Sequence, residues 1–322
     1  MDEPDRTIIA LVTKKLDISV SVEPKRYMTG IVHRVYDLEK YIIKIEGDYS
    51  KTLEHQGEIL NKLKALGAKV PGAVDFGIIE GKAYLVMEKL EGKNIVYDWV
   101  KMSLSQKEQI IAELAYELQI YHSMKFDIYA IPIASGTSFK NFQDANDRLA
   151  DFSKINKAAL APSHRQDVEY IEDYYRQHRH LLSETETAVL VHNDIHLENI
   201  FHAGEHITGI VDFDWCCQAP KDYELWKIIE VVREPKLTVE GKLEPLYDGC
   251  QMITELGFLK KYYPDLFAGI HVAERIRLFY LSNKLFNRIE DFQKEGNTHT
   301  MDIVHEEISM LFKSQWLESL LG

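Results

Sequence analysis

The chain has 322 residues, 45% of them hydrophobic and 28% charged, with a net charge of −13. This length and composition suit a globular protein with a full-sized core and room for two lobes. The acidic balance argues against nucleic acid as a partner, because phosphate binding needs a basic stripe. Three cysteines, Cys216, Cys217 and Cys250, give neither a disulfide framework nor a CxxC metal pattern, which points to a reducing compartment. The opening MDEPDRTIIALVTKK has too short an apolar run for a signal peptide, and no stretch resembles a membrane span. The expected location is the cytoplasm.

In chain order, Asp2 to Leu16 reads as a short helix with Ile8, Ile9, Val12 and Leu16 at helical spacing. Val20 to Val22, Ile31 to Leu38 and Tyr41 to Ile45 read as short strands. Lys51 to Leu66 reads as a helix stopped by Gly67. Val74 to Ile79 and Ala83 to Glu88 suggest a hairpin around Glu80-Gly81-Lys82. From Leu90-Glu91-Gly92 the pattern turns helical. Ser105 to Met124 starts with a candidate capping box, Ser105 and Glu108, and keeps Ile111, Leu114, Leu118 and Tyr121 on one face. Val168 to Leu182 is a further helix, two strands follow at Ala188 to His192 and Ile207 to Val211, and the rest is mostly helical. The predicted organisation is α+β: residues 1–90 form a small β-rich lobe with an antiparallel sheet, and residues 91–322 a larger helical lobe.

The strongest chemical signal is the run His192-Asn193-Asp194-Ile195-His196-Leu197-Glu198-Asn199 behind an apolar strand. Its H-x-D-x-x-x-x-N spacing supplies an aspartate to accept a proton from an attacking hydroxyl and an asparagine oxygen for Mg²⁺. Thirteen residues beyond Asn199, a second strand ends in Asp212-Phe213-Asp214. Asp212 there would bind the Mg²⁺ that bridges nucleotide phosphates. Local turn capping is the simpler alternative for each residue alone; the two motifs together favour phosphoryl transfer.

With its second run, IVDFDW, this pattern resembles the aminoglycoside phosphotransferase and choline kinase superfamily, with coverage from about Met28 to Trp226. The resemblance implies a two-lobed protein-kinase-like fold, ATP or GTP as co-substrate, Mg²⁺, and a small hydroxylated acceptor. It carries over Asp194 as catalytic base, with Asn199 and Asp212 as metal ligands. Lys44 becomes the strand lysine that meets nucleotide phosphates, and residues 87–90, Glu88 and Leu90 among them, the hinge beside adenine. Gly30 is the single glycine of the phosphate-covering loop, where G-x-G-x-x-G is absent. The glutamate that should pair with Lys44 falls on Gln56, so Glu58 or Glu54 would have to substitute. Asp222 resembles the aspartate that buttresses the catalytic loop.

Two other functions compete. His192, Asp194 and His196 form an HxDxH cluster that, with Asp212, suits a metal-dependent hydrolase, and an inactive kinase-like binding module is the third possibility. A protein kinase is less favoured, because no A-P-E segment follows Asp212. The acid is unevenly spread. Residues 1–90 hold 14 Lys/Arg and 14 Asp/Glu, whereas residues 91–322 hold 24 against 37 and carry the whole −13. A solvated acidic surface is the simpler reading of this asymmetry, and the family resemblance also allows neutral sugars and macrolides. The asymmetry tilts the expectation to an acceptor that is cationic at neutral pH, such as an aminoglycoside or an amino alcohol, because a cleft of one sign gathers ligands of the other.

Overall fold

A computed structural model describes residues 3–27, 32–47, 53–132, 136–183 and 187–322. The first part is a five-stranded antiparallel sheet of order β1-β2-β3-β5-β4, made by β1 (Lys25–Tyr27), β2 (His33–Asp37), β3 (Tyr41–Glu46), β4 (Ala73–Ile79) and β5 (Lys82–Glu88). Side chains alternate across a strand, and this sheet uses both faces. Ile43, Ile45, Tyr84 and Val86 pack against Ile8, Ile9 and Val12 of α1 (Glu3–Lys15). Leu85 and Met87 join Leu60 and Leu63 of α2 (Leu53–Ala65) in the larger core. Lys44 follows Ile43 and precedes Ile45, so it emerges on the α2 side.

The predicted hairpin forms as β4–β5, and its turn residues Glu80 and Gly81 both take positive φ, the conformation that matches strand twist in a two-residue turn. No strand forms at Val20 to Val22. The Glu39 carboxylate accepts from the backbone of Ser21 and Val22 and from the Ser21 hydroxyl, so these donors are satisfied by a side chain instead of a sheet.

The helical part begins after β6 (Lys93–Asn94) with α3 (Leu104–Ser123). Its capping box is Ser103 with Gln106, two residues earlier than the expected Ser105 and Glu108. Beyond β7 (Lys125–Phe126) come α4 (Phe142–Leu149) and α5 (Pro162–His178). Helix α5 starts six residues before the predicted Val168, because Pro162 fits the first helical position. Then β8 (Ala188–Val191), β9 (Ile200–Ala203), β10 (His206–Ile210) and β11 (Cys217–Ala219) build two small sheets, β10-β9-β6 and β11-β8-β7. The remaining helices are α6 (Glu224–Arg233), α7 (Ile253–Tyr262), α8 (Val272–Tyr280), α9 (Phe286–Glu295), α10 (Thr298–Leu311) and α11 (Trp316–Leu321), with a π-helical turn, Leu281–Leu285, between α8 and α9. Among the described residues, no helix is long and apolar enough to cross a membrane.

The crossing between the two parts is fixed by close backbone contact. Gly92 has φ +85°, and a Cβ there would lie 1.9 Å from the His202 carbonyl oxygen. Gly92→Ala therefore combines a left-handed non-glycine residue with a clash against β9 backbone. A loss of more than about 2 kcal/mol is expected, read as a lower urea midpoint at unchanged slope. An unchanged midpoint would show that the crossing relaxes freely.

Candidate active site

The loop between β8 and β9 carries Asp194 and Asn199, and its backbone is held from below. The Glu224 carboxylate, at the start of α6, accepts from His192 N and Asn193 N, both at 2.9 Å. Asn193 takes φ +64°, a conformation tolerated best by Asn, Asp and Gly. Its amide donates to Trp215 O at 3.1 Å and its oxygen accepts from Trp226 Nε1 at 2.7 Å. The His192 ring is buried against Phe213 and hydrogen-bonds Val211 O at 3.0 Å. It is a brace between the two motif-bearing segments. The buttress expected of Asp222 is not formed. Asp222 instead makes a buried two-bond ion pair with Arg275 of α8, at 2.6 and 2.9 Å, and Glu224, two residues on, takes the loop.

Asp194 is held on both oxygens. Asn199 Nδ2 donates to Oδ2 at 3.2 Å and to the Asp194 carbonyl at 2.9 Å, while His196 Nε2 lies 3.5 Å from Oδ2. Lys227 Nζ of α6 lies 3.2 Å from Oδ1. Burial pushes the carboxyl up, but the hydrogen bond and charge of His196, with the Lys227 charge, outweigh it and hold the group at about 2. Neither Lys227 nor Glu224 stood out in the sequence. The available signal was their i, i+3 spacing on the first α-helix after the second motif.

Asp212 follows β10 with φ +68°, and its side chain is 41% exposed. Val211 N donates to Asn199 O at 2.9 Å, so the two segments bearing Asn199 and Asp212 run side by side. Lys44 Nζ reaches Asp212 Oδ1 at 3.0 Å and Asp214 Oδ1 at 3.1 Å. Burial alone would lower the lysine, but the two carboxylates more than reverse it; Asp212 in turn is lowered, mainly by Lys44 against its own burial. Burial lifts Asp214 to about 6, with Lys44 opposing and Asp212 adding.

The lysine's helix partner is Gln56, not Glu58. Gln56 is buried with Oε1 3.5 Å from Lys44 Nζ, whereas Glu54 and Glu58 lie exposed. Helical spacing puts Leu53, Gln56, Leu60 and Leu63 on the inward face, and two residues along the helix turns Glu58 away. Gln56 Nε2 also donates to Asp214 Oδ1. The second carboxylate for Lys44 thus comes from Asp214, which compensates for a neutral residue on α2.

Glu88 turns its carboxylate to Lys64 Nζ at 2.8 Å and Gly72 N at 3.0 Å, fixing the end of α2 to β5. Leu90 packs on Gly209, where a Cβ would meet Leu90 Cδ1 at 2.5 Å. Gly30 lies outside the described residues.

These donors fit Mg²⁺. Asn199 Nδ2 is committed to Asp194, which leaves its oxygen as the acceptor end, and Asp212 adds a carboxylate; a hard cation that keeps waters and phosphate oxygens needs few protein ligands. The HxDxH cluster, by contrast, does not converge. His192 points into the core toward Val211, and among the described residues no three His, Cys, Asp or Glu side chains are placed to hold a metal.

The profile of the phosphotransferase enzyme family (APH) matches residues 24–242. No curated protein gives a significant match. Among solved structures, the aminoglycoside phosphotransferase APH(4)-Ia is similar with a TM-score of 0.65, 14% identity and 98% coverage of both chains. A thermostable mutant of it in ternary complex with AMP-PNP and hygromycin B gives 0.63, 13% and 97% of both chains. The streptomycin–ATP complex of APH(2'')-IIa gives 0.60, 17% and full coverage of both. At such identities these structures establish a shared kinase-like fold, and the profile establishes the family: the chain belongs to the phosphotransferase enzymes and is a small-molecule kinase.

Proposed function

We propose that this kinase moves the γ-phosphoryl group of ATP or GTP to a hydroxyl of a small molecule that is cationic at neutral pH. One observation carries the reaction type: Lys44 of the sheet bonds Asp212, the neighbouring Val211 bonds the Asn199 backbone, and Asn199 bonds Asp194, which faces Lys227 of α6. In this reading Lys44 meets nucleotide phosphates, Asn199 and Asp212 hold Mg²⁺, and Asp194 orients the attacking hydroxyl. Bound Mg²⁺ would neutralise charge on the transferring group. Glu88 and Leu90 belong to the hinge beside the base. The reaction suits the cytosol, where nucleoside triphosphates are plentiful.

The acceptor's charge rests on the acidic C-terminal part, where residues 91–322 hold 37 Asp/Glu against 24 Lys/Arg. The similar structures with hygromycin B and streptomycin support the same class of acceptor. The test is nucleotide consumption against aminoglycosides, amino alcohols, choline, macrolides and neutral sugars at varied salt. A cationic compound should be the best acceptor. Its KM should rise with salt more than the nucleotide's, because screening cuts the field's reach to about 8 Å at physiological ionic strength. A neutral or anionic best substrate, or a salt-indifferent acceptor KM, would sink this part of the proposal.

A further inference from the structure

Lys227 has no place in the motifs that define the site, yet it makes the closest charged contact to Asp194. Its ammonium lies 3.2 Å from Asp194 Oδ1 and 3.0 Å from Glu230 Oε2, and its side chain is 15% exposed. Glu230 is buried and also holds Lys284 of the π-helical turn. π-turns interrupt a regular helix and recur at functional sites; this one brings a second lysine to the same carboxylate. The result is a line of alternating charge, Asp194–Lys227–Glu230–Lys284, running from the loop into α6 and the α8–α9 junction. Glu224, one turn before Lys227, fixes the backbone of the same loop. One helix therefore fixes both the main chain around Asp194 and its carboxylate.

A bland account is that Lys227 merely neutralises two buried acids. Two features speak for more. Asp194 already has Asn199 and His196 on Oδ2, so without Lys227 only Oδ1 would lack a partner, and that oxygen decides how the carboxylate plane is turned. A cation beside the group is also the wrong choice for making a strong base. It suits a reaction whose transition state is loose, where the protein contributes position and charge more than proton abstraction.

We propose that Lys227, clamped by Glu230, is a positioning residue for phosphoryl transfer: it fixes Asp194 Oδ1 so that the carboxylate faces the acceptor hydroxyl. This rests on the kinase reading above. Lys227→Met should lower kcat by about 10²-fold with nucleotide affinity unchanged, while Lys227→Arg, which keeps the charge, should recover most of the loss. In an Asp194→Asn background Lys227→Met should cost less than about 3-fold, because residues acting as one unit are not additive. Thermal unfolding of each variant separates folding losses from kinetic ones. Wild-type kcat in Lys227→Met, an Arg variant as poor as Met, or an equal loss in both backgrounds would overturn the role while leaving the kinase reading intact. A wild-type protein whose nucleotide consumption no acceptor raises would sink both.

Discussion

Asp194→Asn is expected to lower kcat by about 10²-fold or more while leaving nucleotide affinity within about 2-fold of wild type. The substitution keeps the shape and removes the charge that Lys227 and His196 both face. A general base contributes about 10² to 10⁴ in rate, and the lower end applies here. A carboxyl held at about 2 has little drive to take a proton from an alcohol early in the reaction. In the proposed role its main effect would be to aim the hydroxyl, with the proton passing late along a loose transition state. Nucleotide binding should be spared, because Asp194 makes its contacts with Asn199, His196 and Lys227, while Lys44 makes its own with Asp212 and Asp214. Steady-state kinetics with the best acceptor and calorimetry with nucleotide measure the two quantities. Near-normal turnover would remove Asp194 from its assigned role. A tenfold loss of nucleotide affinity with kcat intact would make it a ligand of the nucleotide complex instead.

The fold was legible where one local pattern decided the outcome. Alternation placed Ile43 and Ile45 on one face of β3 and Lys44 on the other, and the spacing of Ile111, Leu114, Leu118 and Tyr121 marked the buried face of α3. The site was legible where residues sit close in sequence, as Asp194 and Asn199 do. It was opaque where a side chain finds its partner across the fold. Asp214 meets Gln56 across 158 positions and Lys44 across 170, so the carboxylate that compensates for the missing glutamate could not be read from α2. Glu54 and Glu58 were plausible by residue type, but helix geometry turns both outward. The Asp222 error has the same origin. Asp222 and Glu224 both offer a carboxylate near the loop, and only Arg275, 53 residues later and buried in α8, decides which is left for His192 and Asn193. The strand expected at Val20 to Val22 failed because Glu39, across a loop, satisfied its donors. Apart from that strand, hydrophobic periodicity was reliable and polar pairing was not, because a hydrogen bond depends on two distant backbone positions at once.

Asp212→Ala is expected to abolish measurable turnover, a loss of about 10³-fold or more, and to weaken nucleotide binding in the presence of Mg²⁺ but not in its absence. The carboxylate stands between the sheet lysine and the segment that pairs with Asn199. It reaches Lys44 at 3.0 Å, and its neighbour Val211 is bonded to Asn199. Removing it takes away the only charged member of the proposed metal pair, so charge on the transferring group loses its neutralisation. Lys44 would keep Asp214, so the lysine should stay in place and metal-free nucleotide binding should persist. That split separates a metal ligand from a residue that merely positions Lys44, whose loss would weaken binding with or without Mg²⁺. The left-handed backbone at position 212 disfavours alanine by about 1–2 kcal/mol, so Asp212→Asn serves as the control. Asn tolerates that backbone and keeps an oxygen, and it should show the same Mg²⁺-dependent defect without the folding loss. Calorimetry of both variants, titrated with nucleotide in Mg²⁺ and in chelator, gives the answer directly. An affinity that depends on Mg²⁺ as strongly in Asp212→Asn as in wild type would remove Asp212 from the metal site.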